Sequence, residues 1–119
     1  MKDKKQLSHR QLKVGQQIRF LISNFFIKED FIFKNLDSKN LTVTDVILSP
    51  DLKNAKIFVT TNSTSENKFY IDELNHNSKL IQRKIASNLN SKFTPKLRFY
   101  FDNSFEYSSK INNILETIK

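Results

Sequence analysis

The 119-residue chain has no cysteine, no tryptophan, one glycine and two prolines. The absence of cysteine excludes disulfide bonds, thiol catalysis and thiolate metal centres, and it suits a reducing compartment. A single glycine cannot build the glycine-rich loop that surrounds nucleotide phosphates. The two histidines, His9 and His76, are far apart in sequence. We therefore expect neither a metal site nor another cofactor.

Long apolar runs are also missing. The most apolar stretch near the N-terminus, Ile18 to Ile27, is interrupted by Arg19, Ser23 and Asn24 and is too short to span a bilayer. The charged segment 1–5 is not followed by the apolar core of a secretion signal. These features predict a cytoplasmic protein without a membrane partner.

No arrangement of catalytic side chains stands out. The acids Glu29 and Asp30, like Asp72 and Glu73, are adjacent in sequence. Neighbouring residues point to different faces of a helix or strand, so neither pair is expected to converge on a substrate. No serine, histidine and aspartate combination typical of nucleophilic catalysis is visible. The sequence therefore favours a binding protein over an enzyme.

Positive charge is abundant, with 20 Lys and Arg against 12 Asp and Glu, a formal net charge of +8. Such a balance suits a polyanionic partner, although AT-rich coding DNA also enriches lysine. The distribution is more informative, because no acid occurs between Leu74 and Phe101. A mutational bias toward lysine would not by itself remove every carboxylate there. The basic residues of this stretch are Lys79, Arg83, Lys84, Lys92, Lys96 and Arg98.

Apolar spacing predicts the first half of an α+β domain. A helix capped by Ser8 should run to about Phe26, since Val14, Ile18, Leu21, Ile22 and Phe25 share one helical face. Gly15 lies inside this helix, which indicates close packing against a sheet. Residues 28–40 are interpreted as a loop held by its aromatic side chains. Strands at 41–48 and 55–61 flank the turn 49–54, which is too short for a crossover, so they should pair antiparallel.

The second half is predicted to contain three helices and one strand. A helix capped at Ser65 should end near Asn75 and bury Phe69, with Tyr70 and Leu74 as further candidates. A break at 75–78 should precede a helix to about Lys92, and Pro95 should precede a strand at 96–101. The expected sheet is three-stranded and mixed, with helices on one face, in one domain at 8–119 behind a flexible charged segment 1–7. A C-terminal helix is marked by Tyr107, Ile111, Ile114 and Ile118.

Four segments, in this order and spacing, resemble the ribosome-binding factor A family. Residues 8–19 are similar to its opening helix, 49–55 to its first interstrand turn, and 93–99 to the approach to its third strand. Residues 102–105, followed by Ile111, Ile114 and Leu115, resemble its closing segment, so the likeness spans about 8–116. The resemblance implies a type II KH-like fold of order αββααβ plus a C-terminal helix.

The same resemblance implies a function. Members of the family bind the immature small (30S) ribosomal subunit through 16S rRNA and assist late maturation or processing at its 5′ end. They act in the cytoplasm, support growth in the cold and work alongside assembly GTPases. The alternative is a generic KH-like RNA-binding regulator or RNA chaperone without ribosome specificity. Nothing in the sequence indicates more than a monomer.

One element departs from the family pattern. The family bends between its central helices at an Ala-x-Gly element, which replaces the GxxG loop of ordinary KH domains. The matching positions, Asn77, Ser78 and Lys79, contain neither alanine nor glycine. We expect Asn77 or Ser78 to make the bend by capping. Without GxxG, we do not expect the four-nucleotide grip of ordinary KH domains.

Three surfaces are candidates for RNA contact, and each could instead be an ordinary solvated face. The first is the helix after the bend, with Lys79, Arg83 and Lys84. The other cations of the acid-free stretch, Lys92, Lys96 and Arg98, are candidates as well. The second is the open sheet face with Lys56, Phe58, Arg98 and Tyr100, which could stack bases or only stiffen the sheet. The third is the first helix with Arg10, Lys13 and Arg19.

Overall fold

The computed structural model describes residues 7–28, 40–61, 67–89 and 92–102. The predicted order αββααβ is confirmed. The predicted aromatic loop, apart from its first and last residues, the cap at Ser65 and the C-terminal helix lie outside the described residues. The elements are α1 (His9–Lys28), β1 (Leu41–Leu48), β2 (Asn54–Thr61), α2 (Asn67–His76), α3 (Ser78–Ala86) and β3 (Lys96–Phe101).

The three strands form one mixed sheet of order β1-β2-β3, as expected. β1 and β2 pair antiparallel, with a register shift between Val43 and Asp45, and β2 pairs parallel with β3. A parallel pair cannot be closed by a tight turn, so the chain must cross over one face of the sheet between β2 and β3. Helices α2 and α3 lie in this connection.

Helix α1 begins at a capping box. The Gln11 backbone N–H donates to Ser8 Oγ at 3.1 Å, and the Ser8 N–H donates to Gln11 Oε1 at 2.7 Å. The buried Gln11 amide also donates from Nε2 to the Leu48 carbonyl at 2.8 Å. Gln11 therefore fixes both the start of α1 and its position against the end of β1. The predicted cap at Ser8 is confirmed, and α1 runs two residues beyond the expected Phe26.

The core lies between one face of the sheet and the helices. Strand side chains that alternate inward meet apolar residues of all three helices, which is the expected pattern for a half-buried sheet. Fully buried members include Ile57, Val59 and Phe99 from the strands and Ile18, Ile22, Leu74 and Ile81 from the helices.

Two predictions in the crossover are wrong. Phe69 is 40% exposed, because Tyr70 and Leu74 share the buried face of α2 and Phe69 lies about a quarter turn away. Helix α3 ends at Ala86 rather than near Lys92. Its end tightens through bonds from the Asn88 N–H to Ile85 O (3.1 Å) and the Leu89 N–H to Ala86 O (3.3 Å). Leu89 is nevertheless buried. Its spacing of four residues from Ile85 therefore correctly indicated a buried position but not a helical one.

Gly15 is the point where α1 lies closest to the sheet. A Cβ atom at this position would lie 3.0 Å from the Val46 carbonyl oxygen and 3.5 Å from Leu48 Cδ2. Since the nearer atom belongs to backbone, it cannot move away as a flexible side chain could. The predicted reason for this glycine, close packing of helix on sheet, is confirmed.

Gly15→Val should therefore lower the free energy of unfolding by about 2 kcal/mol, because the added side chain must push α1 away from β1. Valine is not a poorer helix former than glycine, so helix propensity cannot cause the loss. The control is Gln16→Val at the exposed neighbouring position, where we expect a loss below about 0.5 kcal/mol. Urea unfolding followed by circular dichroism measures both, and equal losses would contradict the close-packing explanation.

Candidate nucleic-acid interface

The bend between α2 and α3 is made by Asn77. Its backbone N–H donates to Glu73 O at 3.1 Å and its side-chain Nδ2 donates to the same oxygen at 2.8 Å, which completes the end of α2. Its own carbonyl accepts from the Ile81 N–H at 3.0 Å and starts α3. The side chain therefore caps the preceding helix rather than the following one. Asn77 has φ −100°, outside the left-handed region, so the bend does not require glycine.

Asn75 joins the end of α2 to β3. Its Nδ2 donates to the Phe99 carbonyl at 3.0 Å, and its Oδ1 accepts from the Phe99 N–H at 2.7 Å. The Asn75 amide thus satisfies both the N–H and the C=O of Phe99. These groups point away from β2, toward the free edge of the sheet, where a further strand could otherwise pair. Asn75 holds the helix junction at a fixed position beside the strand.

A cleft of about 730 Å³ lies beside this junction, between the α2–α3 bend and the first half of β3. Its helical side contains Ser78 and Gln82, and its strand side includes residues of both β2 and β3. The parallel register explains the strand side, because it pairs Lys56 with Arg98 and Phe58 with Tyr100. The lining residues are Asn54, Ala55, Lys56, Asn75, Ser78, Lys79, Gln82, Arg83, Lys96, Leu97, Arg98 and Tyr100.

Five exposed basic side chains meet in this cleft, and none of the described residues lining it is acidic. The carboxylate of Asp72 lines an adjoining hollow with Arg98 rather than the cleft itself, so the cations inside the cleft can neutralise neighbouring phosphates. They come from two of the surfaces considered as alternatives, the α3 face and the outer sheet face. We call this group the basic cleft; its cations are Lys56, Lys79, Arg83, Lys96 and Arg98.

An aromatic pair lies at the sheet side of the basic cleft. The rings of Phe58 and Tyr100 stack with centroids 5.6 Å apart and planes at 28°. The Arg98 guanidinium lies 6.0 Å from the Tyr100 ring centroid, within cation–π range. Of the two rings, only Tyr100 lines the cleft. The cross-strand pair thus stiffens the sheet and also places one aromatic ring among the cations.

The remaining predicted RNA contacts lie elsewhere. Lys84 lines a different hollow with Lys28, between α3 and α1, because it is one residue, about 100° around the helix, from Arg83. Arg10 and Lys92 line a third hollow at the β1–β2 turn. Lys13 and Arg19 are exposed on α1 and line none of these three hollows.

Sequence reasoning missed the polar residues that shape the cleft. The predicted helix break at 75–78 gives Asn75 no partner on a strand, and the sequence assigns no role to Gln82. Gln82 Nε2 donates to the Thr94 carbonyl at 2.9 Å and so holds the segment before β3 against α3. Polar residues on the sheet-facing side of a predicted helix were the available signal.

In residues 7–28, 40–61, 67–89 and 92–102, no group of three or more histidine or carboxylate side chains could hold a metal ion. No helix in the same ranges is long and apolar enough to cross a bilayer.

Comparison with known proteins gives consistent matches to one family. Residues 10–115 match the family model for ribosome-binding factor A. The chain is 36% identical over 112 residues to ribosome-binding factor A of Pelagibacter ubique, covering 94% of this chain and 92% of that one. It is 33% identical to the Zymomonas mobilis protein of the same name, covering 92% and 78%.

Solved structures agree in fold. A Thermotoga maritima protein described under the name ribosome binding factor A superposes with a TM-score of 0.66 at 24% identity, covering 81% of this chain and 90% of that one. A Thermus thermophilus ribosome binding factor A model, fitted into a cryo-EM map of a 30S complex, gives 0.56 at 16% identity, with coverage of 82% and 97%. These likenesses establish the α+β, KH-like fold.

Asn75→Asp tests the link between the helix junction and β3. The carboxylate keeps the acceptor for the Phe99 N–H but replaces the donor with an oxygen facing the Phe99 carbonyl. We expect a loss of about 2 kcal/mol in the free energy of unfolding at pH 7. Repulsion between the carboxylate and the Phe99 carbonyl oxygen should raise the pKa of the new carboxyl in the folded state above its ordinary value of about 3.9.

Because protonation restores a donor, the loss should shrink as the pH falls through that raised pKa and reappear as the pH rises. Urea unfolding at pH 7 and pH 4.5, each relative to the unsubstituted chain, measures the effect. Asn88→Asp, at an exposed asparagine beyond α3, is the control and should show a small loss at both pH values. A loss for Asn75→Asp that does not change with pH would argue against the paired amide geometry.

Proposed function

The chain belongs to the ribosome-binding factor A family, and on this basis we propose that it binds the immature small (30S) ribosomal subunit through 16S rRNA. Its finer role is a late step in maturation or processing at the 5′ end of that RNA. The Thermus protein fitted into a map of a 30S complex supports this proposal by likeness of fold.

The observation that carries the proposal is the basic cleft. Cations from α3, β2 and β3 converge on one depression that has no acidic residue among its described lining residues. Phosphate contacts of this kind supply affinity and position, whereas sequence is read through base edges. A protein that recognises the fold of a ribosomal RNA needs contacts to phosphates more than it needs contacts to base edges.

Binding itself is the proposed activity. A protein with greater affinity for one conformation of an RNA shifts the population toward that conformation without any chemical step. We propose that the chain acts in this way as a cytoplasmic monomer, alongside assembly GTPases, and leaves when the subunit matures. The family's name describes a binding role, which agrees with this proposal.

Neutralising two cations of the cleft tests the proposal. Lys79→Gln/Arg83→Gln should weaken co-sedimentation with free small subunits. It should also reduce the slope of log affinity against log salt by about one for each phosphate that the variant no longer neutralises. The matched control is Lys13→Gln/Arg19→Gln, which removes the same two residue types and the same charge from exposed positions on α1.

The measurement is sedimentation with free small subunits, large subunits and assembled ribosomes over a range of salt concentrations. We expect the unsubstituted chain to be retained on free small subunits. The cleft double substitution should weaken this retention, and the α1 double substitution should not. Equal losses for the two pairs would contradict a special role of the cleft, because net charge or the α1 surface would then account for the binding equally well. Equal binding of the unsubstituted chain to all particles would replace the assembly role with that of a generic RNA-binding module.

A further inference from the structure

We propose that Phe93 is the stacking platform of a second RNA contact, which holds one unpaired nucleotide whose base carries an amino group. The inference rests on the proposed RNA-binding function and adds a site outside the basic cleft. A phenylalanine ring accepts a base on its face without regard to hydrogen bonding, and one stacked base contributes measurably to affinity.

Phe93 is exposed although the backbone that follows it is held. Its side chain is 55% exposed, whereas Pro95 is fully buried. The Thr94 carbonyl is bound by Gln82, and the Lys96 N–H donates to the Lys53 carbonyl at 2.9 Å. A large apolar side chain on such a segment loses little conformational freedom when a ligand covers it, so the ring is preorganised for stacking.

The surroundings of the ring match a nucleotide. A hollow of about 310 Å³ is formed by the start of α1, the β1–β2 turn and the segment before β3. The Lys92 ammonium lies 5.6 Å from the Phe93 ring centroid. The exposed cations can contact phosphate while the ring carries the base. We call this the Phe93 hollow; its lining residues are Arg10, Pro50, Asp51, Leu52, Lys92 and Phe93.

Asp51 gives the hollow a preference among bases. Its Oδ1 accepts from Ser49 Oγ at 2.6 Å and from the Lys53 N–H at 3.0 Å. The Ser49 bond, followed by the Lys53 amide, lowers the pKa of this carboxyl below its ordinary 3.8, so it is ionised at neutral pH. Neither bond uses Oδ2, which can accept only N–H or O–H donors. The amino groups of cytosine, adenine or guanine can donate to it, whereas the one N–H of a uracil base lies between two carbonyl oxygens that repel a carboxylate.

One strand of RNA can reach both sites. Lys96 lines the basic cleft and Phe93 lies three residues before it, a distance of roughly 10 Å along extended chain. The cations of the cleft and of the Phe93 hollow therefore lie close enough to follow one sugar–phosphate backbone. This continuity of positive charge favours RNA over a protein segment as the occupant of the hollow.

The absence of tryptophan provides a direct test. Phe93→Trp introduces a single tryptophan whose fluorescence should be quenched when a base stacks on it. Phe20→Trp is the matched control, because Phe20 is 67% exposed on α1 and lines neither the cleft nor the hollow. The probes are oligocytidylate and oligouridylate of equal length, whose bases have the same ring size and differ only in the hydrogen-bonding groups at positions 3 and 4.

We expect quenching of the Phe93→Trp protein alone, at lower concentrations of oligocytidylate than of oligouridylate. Asp51→Asn, combined with Phe93→Trp, should reduce this preference. Phe93→Leu, which retains an apolar side chain without an aromatic face, should weaken binding of oligocytidylate by roughly fivefold or more.

The outcomes separate this inference from the proposed function. Absent quenching, or equal quenching at both tryptophan positions, would overturn the inference. So would a blue shift on small subunits without quenching by oligonucleotides, because the ring would then be covered by protein. Unchanged co-sedimentation of Phe93→Trp with small subunits in those cases would leave the proposed function standing. Failure of the unsubstituted chain to bind small subunits would count against that function, while quenching by oligocytidylate would still support the Phe93 contact.

Discussion

The parallel pairing of β2 with β3 is the constraint from which the candidate interface follows. Because parallel neighbours cannot be joined by a tight turn, the chain must leave β2, cross one face of the sheet and return to begin β3 beside it. The connection contains two helices, and their junction lies next to β3. The in-register pairing of Lys56 with Arg98 then places strand cations next to the helix cations. The position of the cleft is thus a consequence of the sheet topology, and its charge comes from five lysine and arginine side chains.

Much of the fold could be predicted from the sequence because its signals are local. Alternation fixed β3, and the short turn 49–54 fixed the antiparallel pairing of β1 and β2. Ser8 and Gln11 supplied a capping box that can be recognised three residues apart. The two wrong predictions, the end of α3 and the burial of Phe69, arose because a residue's burial does not always follow from its helical position or its apolar character. Leu89 is buried beyond the end of α3, and Phe69 is exposed although it is aromatic.

The candidate site could be predicted only in part, because its formation depends on long-range contacts. The helix face and the outer sheet face were treated as alternative surfaces, but Arg83 of one and Arg98 of the other line the same cleft. Strand order and register decide this, and neither follows from a single sequence. Arg83 and Lys84 were grouped by adjacency, whereas a rotation of about 100° per residue assigns them to different hollows. Asn75 acts through a residue 24 positions away, so no local pattern could reveal it.

The asparagines also explain how a chain with one glycine forms its bend and protects an edge strand. Asn77 completes α2 through its side chain and needs no left-handed backbone. Asn75 uses both polar atoms of its amide on Phe99, so the amide edge that could read a base already faces the strand. Gln82 has already committed its amide nitrogen to Thr94. Two side-chain amides of the cleft are thus wholly or partly occupied in holding its sides. The rest of the described lining is mainly positive charge with the Tyr100 ring among the cations, and such a surface suits the backbone path of a polyanion better than the reading of a base sequence.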